Sequence, residues 1–222
     1  MSVQPDRKPP RSEKEDRTLA TYDQISPIWA KRNTTSDFWR DQFTKFTKLL
    51  PSGKIIDIGC GTGRDARLFL AANYDYLGID ASKGMVEQAK KEVPGAKFIQ
   101  LDMYELSKLN EKFDGFWASA SFLHIPKSNL QYILDSLKKI TKPNAIGFIS
   151  VKEGEGELVL NGSDGTERFF AFYSDVEFAQ VLNNAGFEIL ERGRDLRDYS
   201  PPKNKSIWLT YLVQIKPTLS SQ

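Results

Sequence analysis

Residues 54–63 read Lys54-Ile55-Ile56-Asp57-Ile58-Gly59-Cys60-Gly61-Thr62-Gly63. An apolar run broken by one carboxylate, then three alternating glycines, reads as a buried strand entering a turn where the backbone can approach a ligand closely. Two later runs end in the same residue type: Tyr76-Leu77-Gly78-Ile79-Asp80 and Phe98-Ile99-Gln100-Leu101-Asp102. The three aspartates recur at nearly equal intervals, the length of a strand, a helix and two short loops. That is the repeat of a parallel α/β sheet. Each carboxylate falls at or near the carboxyl end of a strand, the edge at which open α/β sheets bind ligands. With the glycine turn, the three point to a nucleoside-bearing cofactor.

Working outward, strands are expected at 54–59, 75–80, 97–101, 113–119 and 145–151, with helices at 62–72, 82–92 and 127–140. Past 151 the composition changes. Lys152-Glu153-Gly154-Glu155-Gly156-Glu157 and Asn161-Gly162-Ser163-Asp164-Gly165 read as loop or hairpin, an insertion over 152–172. Ser174-Asp175-Val176-Glu177 is a capping box for a helix that Gly186 closes. Two last strands, 187–191 and 207–216, flank a polar loop with Pro201-Pro202. Upstream, Trp39, Phe43, Phe46 and Leu50 form one helical face, with Ser36 as its cap. Tyr22, Ile25, Ile28 and Trp29 form a shorter stripe that Pro27 threatens to break. Residues 1–18 are charged and proline-rich and are expected to be a disordered tail. The expectation is a single domain over 19–222: α/β, a doubly wound, seven-stranded, mostly parallel sheet with an N-terminal helical cap at 19–51.

The 222 residues are 40% hydrophobic and 27% charged, with a net charge of +2, which gives no electrostatic argument for nucleic acid or membrane. A single cysteine, Cys60, excludes an internal disulfide and a Cys-rich zinc site; a single histidine, His124, excludes a multi-His metal site. No metal is expected. No apolar run approaches the roughly 20 residues of a membrane span, and no signal core opens the chain. A cytoplasmic monomer or homodimer is expected.

The glycine loop has two competing readings. Gly61-Thr62-Gly63-Arg64-Asp65-Ala66 fits the dinucleotide fingerprint. Counted from Gly59, the first glycine after the strand, the third fingerprint position is Arg64, whose side chain obstructs a pyrophosphate, and the Asp57 carboxylate would repel one. The whole set resembles the class I S-adenosylmethionine-dependent methyltransferases over about residues 20–190: the 55–63 motif, Asp80, Asp102-Met103, Phe113-Asp114-Gly115-Phe116-Trp117-Ala118-Ser119, and Ala185-Gly186-Phe187.

The resemblance implies a set of roles. Asp57 and the amides from Gly59 through Cys60 and Gly61 to Gly63 would hold the methionyl end of S-adenosylmethionine. Asp80, with Ala81 beside it, would accept from the ribose hydroxyls; Asp102 and Met103 would take the adenine; Ser119 would line the sulfonium; Tyr22 would cover the cofactor. A carboxylate suits two ribose hydroxyls because it only accepts. Plain structural readings stand beside these: Asp80 as a helix cap, Tyr22 as core.

For the acceptor, His124 is the one side chain that titrates near neutrality and is a candidate general base. Arg168, with Tyr173 on the same segment, is a candidate clamp for an anion; its alternative is an edge-strand residue in water. Ser119-Ala120-Ser121-Phe122 lacks the Asn/Asp-Pro-Pro-Tyr/Phe motif of nucleobase amino methylation, and no second cysteine serves cytosine C5 chemistry. A small-molecule acceptor methylated on O or N is expected. An NAD(P)-binding oxidoreductase and a non-catalytic S-adenosylmethionine-binding module remain as alternatives.

Overall fold

The computed structural model describes residues 8–32, 38–161, 166–198 and 205–216. Seven strands form one sheet: β1 (Lys54–Ile58), β2 (Asp75–Asp80), β3 (Lys97–Gln100), β4 (Phe113–Ser119), β5 (Thr141–Lys152), β8 (Phe187–Asp198) and β9 (Lys205–Ile215). Their order is β3-β2-β1-β4-β5-β9-β8. The pairings from β3 to β5 are parallel; β9 runs antiparallel to both β5 and β8. A separate hairpin, β6 (Glu157–Asn161) with β7 (Glu167–Ala171), occupies the expected insertion. The expected doubly wound, mostly parallel sheet is therefore present.

Strand β1 is apolar because both of its faces are covered. Ile55, Ile56 and Ile58 have no exposed surface. Helix α2 (Arg40–Leu49) lays Phe43 and Phe46 on Phe69 of α3 (Ala66–Ala71) and on Trp117 of β4. Helices α4 (Lys83–Glu92), α5 (Lys127–Ile140) and α6 (Asp175–Asn184) complete the layers. Ser82 and Ser174 cap α4 and α6 as their sequences demand, accepting from the amides of Met85 and Glu177.

The N-terminal expectations need correction. Residues 13–18 are not part of a disordered tail; they open helix α1 (Glu13–Arg32). The Glu15 carboxylate accepts from both the amide and the hydroxyl of Ser12, at 2.7 Å each, satisfying a donor the helix end leaves over. Residues 1–7, the cap Ser36, and the Pro201-Pro202 loop lie outside the described residues. Nor does Pro27 break α1. A proline there withholds the amide that would reach the carbonyl of Asp23. Ser26 supplies a substitute: its hydroxyl donates to that carbonyl at 3.0 Å. Helix 62–72 shortens to Ala66–Ala71, and β5 begins before Pro143, at Thr141.

Helix α1 lies across the ligand edge of the sheet. It is tied to β7 through Thr18, which accepts from the Phe169 amide, and Thr21, which donates to the Glu167 carbonyl, each at 2.8 Å. It is tied to α4 through the Asp23 carboxylate, which accepts from the Ser82 hydroxyl and the Gly84 amide.

Candidate active site

A cavity runs between α1 and the carboxyl ends of β1, β2, β4 and β5, continuing beneath the β6–β7 hairpin. At one end stand Gly59, Cys60, Gly61, Asp80, Ala81, Asp102 and Met103; Ser119 stands between; Tyr22, His124 and Arg168 line the other. Eleven of the residues named from the sequence therefore share one space. Asp57, Gly63 and Tyr173 do not line it.

The three exceptions have physical causes. Asp57 is 2% exposed and accepts from the Tyr76 hydroxyl at 2.6 Å. Burial, reinforced by the nearby Asp65, pushes its carboxyl up to about 8, so it is mostly protonated at neutral pH. It is a neutral brace beneath the cavity rather than an anion facing a ligand. Gly63 has φ +79, and a Cβ there would meet the Phe98 ring at 2.9 Å; it packs the loop on β3. The Tyr173 ring meets Phe178 edge to face and carries Lys127 over its face at 4.6 Å, away from the cavity.

The glycine loop also differs from expectation in its donors. The amides of Gly59 and Cys60 donate to the Ile79 carbonyl, Gly61 to Asp80 Oδ2 at 2.9 Å, and Gly63 to the Cys60 carbonyl. Three of these amides hold the loop on β2 and the fourth closes the loop on itself, so the four form no anion cradle. The guanidinium at this end belongs to Arg64, bonded in bidentate fashion to Asp65 and donating to Ser119 Oγ at 3.0 Å. Asp65 also accepts from Trp117 Nε1. The sequence reading treated Arg64 as an obstruction and passed over Asp65; a charged pair directly after the third glycine was the available signal.

Asp80 accepts from Gly61 on one oxygen and from Ser82 on the other, at 2.8 Å. Burial pushes its carboxyl up to about 6, the two amides opposing that rise. Asp102 caps a short 3-10 turn through Tyr104 N and is paired with Arg11 at 2.8 Å. The cap of α4 thus falls to Ser82 and not to Asp80, Asp102 caps the turn after β3, and both aspartates face the cavity.

An S-adenosylmethionine-like ligand fits this donor set. Gly61 has φ +55, and a Cβ added there would meet nothing within 4 Å, so its bare backbone opens on the cavity. Ser121 Oγ lines the cavity, buried and without a hydrogen-bond partner. Two acceptor-only carboxylates at the far end suit hydroxyl and amino donors. Ala120, between Ser119 and Ser121, holds φ +55, uncommon for a residue with a Cβ and typical of strain kept at a functional edge.

The other end is organised by His124. Its Nδ1 is 2.7 Å from the Phe169 carbonyl, which can only accept, so Nδ1 carries the proton. Nε2 then accepts from the Tyr22 hydroxyl at 2.8 Å. Burial, with Arg168 and Lys152 nearby, holds the imidazole down to about 3. The neutral ring orients the Tyr22 hydroxyl, and both side chains line the cavity. Arg168 is not an edge residue in water: alternation along β7 puts Arg168 and Phe170 on the cavity and leaves Phe169 and Glu167 to Lys14 and Arg17 of α1. Lys152, which the sequence reading assigned to a polar loop, ends β5 and lines the cavity too. Among the described residues no cluster of three or more His, Cys, Asp or Glu could hold a metal, and no helix is long and apolar enough to cross a membrane.

Comparison with known proteins gives consistent results. Residues 55–144 match the family model of a methyltransferase domain. A ubiquinone/menaquinone biosynthesis C-methyltransferase of Campylobacter jejuni is 26% identical, the alignment covering 81% of this chain and 92% of the relative. The 1,6-didemethyltoxoflavin N1-methyltransferase of Burkholderia thailandensis, solved with 1,6-didemethyltoxoflavin and S-adenosylhomocysteine bound, superposes with a TM-score of 0.68 at 18% identity. It covers 94% of this chain and 92% of that one. An S-adenosylmethionine-dependent methyltransferase of Methanosarcina mazei gives a TM-score of 0.66 at 18% identity, over 75% and 94% of the two chains.

Proposed function

We propose that the chain is a class I S-adenosylmethionine-dependent methyltransferase, a reading the methyltransferase-domain match and the methyltransferase relatives support, and that it methylates an O or N atom of a small molecule held between α1, β5 and the β6–β7 hairpin. The observation that carries this reading is the continuity of the cavity from Asp80 and Asp102 to Tyr22 and His124. When bound, S-adenosylmethionine supplies an electrophilic methyl group on a sulfonium.

This chain's residues then divide the remaining work. Asp80 accepts from the ribose hydroxyls, and Asp102 with Met103 holds the adenine. Arg64 takes the methionyl carboxylate, the role that the committed loop amides leave open. Ser119 lies between the two ends, and Tyr22 covers the junction. The Tyr22 hydroxyl orients the acceptor atom. Held down to about 3, the His124 imidazole stays neutral and its Nε2 accepts the Tyr22 hydrogen bond across the physiological range; so weak a base takes no proton, and an acceptor atom that carries one releases it to solvent after transfer.

Isothermal titration with S-adenosylhomocysteine and methyl transfer from labelled S-adenosylmethionine to a panel of small molecules test the reading. Binding and label on O or N are expected. Tyr22→Phe, which keeps the ring and removes the hydroxyl, should lower kcat by about tenfold while S-adenosylhomocysteine affinity stays within about twofold. Absence of both binding and transfer would overturn the reading. The Campylobacter relative favours a second one, methylation on carbon; NMR of the labelled product distinguishes a C-methyl from an O- or N-methyl group.

A further inference from the structure

Two cations stand side by side at the acceptor end, and no side chain among the described residues forms an ion pair with either. The Arg168 guanidinium lies 5.7 Å from the Phe170 ring centroid, 5.8 Å from that of Trp29 and 6.0 Å from that of Tyr22. The Lys152 ammonium lies 4.6 Å from the same Phe170 ring and 5.6 Å from Trp208. Ring faces soften the charge of a cation, but they offer no acceptor to an N–H in the guanidinium plane. Arg168 Nε is buried without a hydrogen-bond partner. Most other charged side chains near the cavity are paired: Arg11 with Asp102, Arg64 with Asp65 and Lys14 with Glu157. The two cations are close enough to oppose each other, and burial with that repulsion brings Lys152 down to about 8.

Such an arrangement costs stability unless a ligand completes it. The methyl donor does not, because its one anion, the methionyl carboxylate, is assigned to Arg64 at the other end and its sulfonium is a further cation. The missing charge must come with the acceptor.

We propose that the methyl acceptor is a small aromatic carboxylate, its carboxylate seated between Arg168 and Lys152 and its ring among Phe170, Trp208 and Trp29. This rests on the methyltransferase reading and narrows its substrate. Two cationic donors match the two oxygens of a carboxylate, and a guanidinium presents its N–H groups in the plane a carboxylate prefers. The flat aromatic walls suit a planar body. The assignment also explains why these cations are placed next to the Tyr22–His124 pair: the anchored end fixes where the methylated atom meets the phenol.

The test is a titration of the protein saturated with S-adenosylhomocysteine, using benzoate, its neutral isostere benzamide, and phenyl phosphate as probes. Benzoate should bind at least tenfold more tightly than benzamide. Arg168→Gln and Lys152→Gln should each weaken benzoate by about tenfold, leaving benzamide and S-adenosylhomocysteine affinities unchanged and the thermal unfolding transition intact. Arg168→Lys, which keeps the charge, should recover part of the loss. Equal binding of benzoate and benzamide, preference for phenyl phosphate, or benzoate affinity unaffected by folded variants would overturn the proposal. Failure to bind S-adenosylhomocysteine in the first step would instead strike the methyltransferase reading, so the two failures are separable.

Discussion

The two ends of the cavity are built by different means. The cofactor end is formed at the tips of adjacent parallel strands, from backbone held on backbone: the Gly59 and Cys60 amides on the Ile79 carbonyl, and the Gly61 amide on Asp80. Its lining carboxylates are each fixed by two hydrogen-bonding partners. The acceptor end is formed by side chains from α1, β5, β7 and the turn after β4, and its two cations, Lys152 and Arg168, have no ion-pair partner among the described residues. In the function proposed above, the first end takes the constant ligand, and its geometry is a property of the fold; the second takes the acceptor, and its side chains are free to vary one at a time.

Three substitutions probe this division, in falling order of effect on cofactor affinity. Gly59→Val adds a branched Cβ at φ +71, where even a single Cβ would sit 2.6 Å from Ser121 Cβ. We expect S-adenosylhomocysteine affinity to fall by at least about 100-fold, with a lower unfolding temperature, because backbone position itself is lost. Affinity near wild type would mean that the loop is not a rigid part of the site. Asp80→Asn keeps the shape and removes the charge. S-adenosylhomocysteine should weaken by about 10- to 100-fold, the equivalent of about 1–3 kcal/mol, with benzoate binding within about twofold. Equal losses for both ligands would collapse the distinction between the ends.

Asp57→Asn should alter cofactor affinity least, by less than about threefold, since Asp57 lies outside the cavity. Its signature is stability against pH. A carboxyl raised from 3.8 to about 8 stabilises the fold fully below its unfolded value and loses that contribution as pH rises through about 8. Urea unfolding from pH 4 to pH 9 should show wild-type stability declining along that window and the asparagine variant declining less. Parallel curves would mean that Asp57 is ionised in the fold.

The same contrast explains what could be read from the sequence. The sheet, its order of elements and the positions of Asp80 and Asp102 follow from contiguous motifs whose spacing is fixed by strand and helix lengths. Asp57 is visible as a carboxylate in an apolar strand, but its protonation depends on burial and on the approach of Asp65, against which the Tyr76 hydroxyl, 2.6 Å away on the neighbouring strand, works in the opposite direction. Lys152 reads as the first residue of a polar, glycine-rich segment. Its place in the cavity is set by the pairing of β5 with β9, which sets it opposite Trp208. Arg168 was ambiguous because β7 is covered on both faces, by α1 and by the cavity, so alternation alone does not name the inner one. The start of α1 was legible: Ser12 and Glu15 have the spacing of a capping box, a signal outweighed by the prolines and charges around it.

Gly84 sits on α4, and a Cβ there would come within 2.5 Å of Ser26 Oγ and 2.9 Å of the Asp23 carbonyl of α1. The helix that carries Thr18 and Tyr22 over the cavity is hung at this clearance. The width of a single methyl group, at a position that touches neither ligand, is therefore shared by both: it sets how far the roof of the chamber stands from its floor.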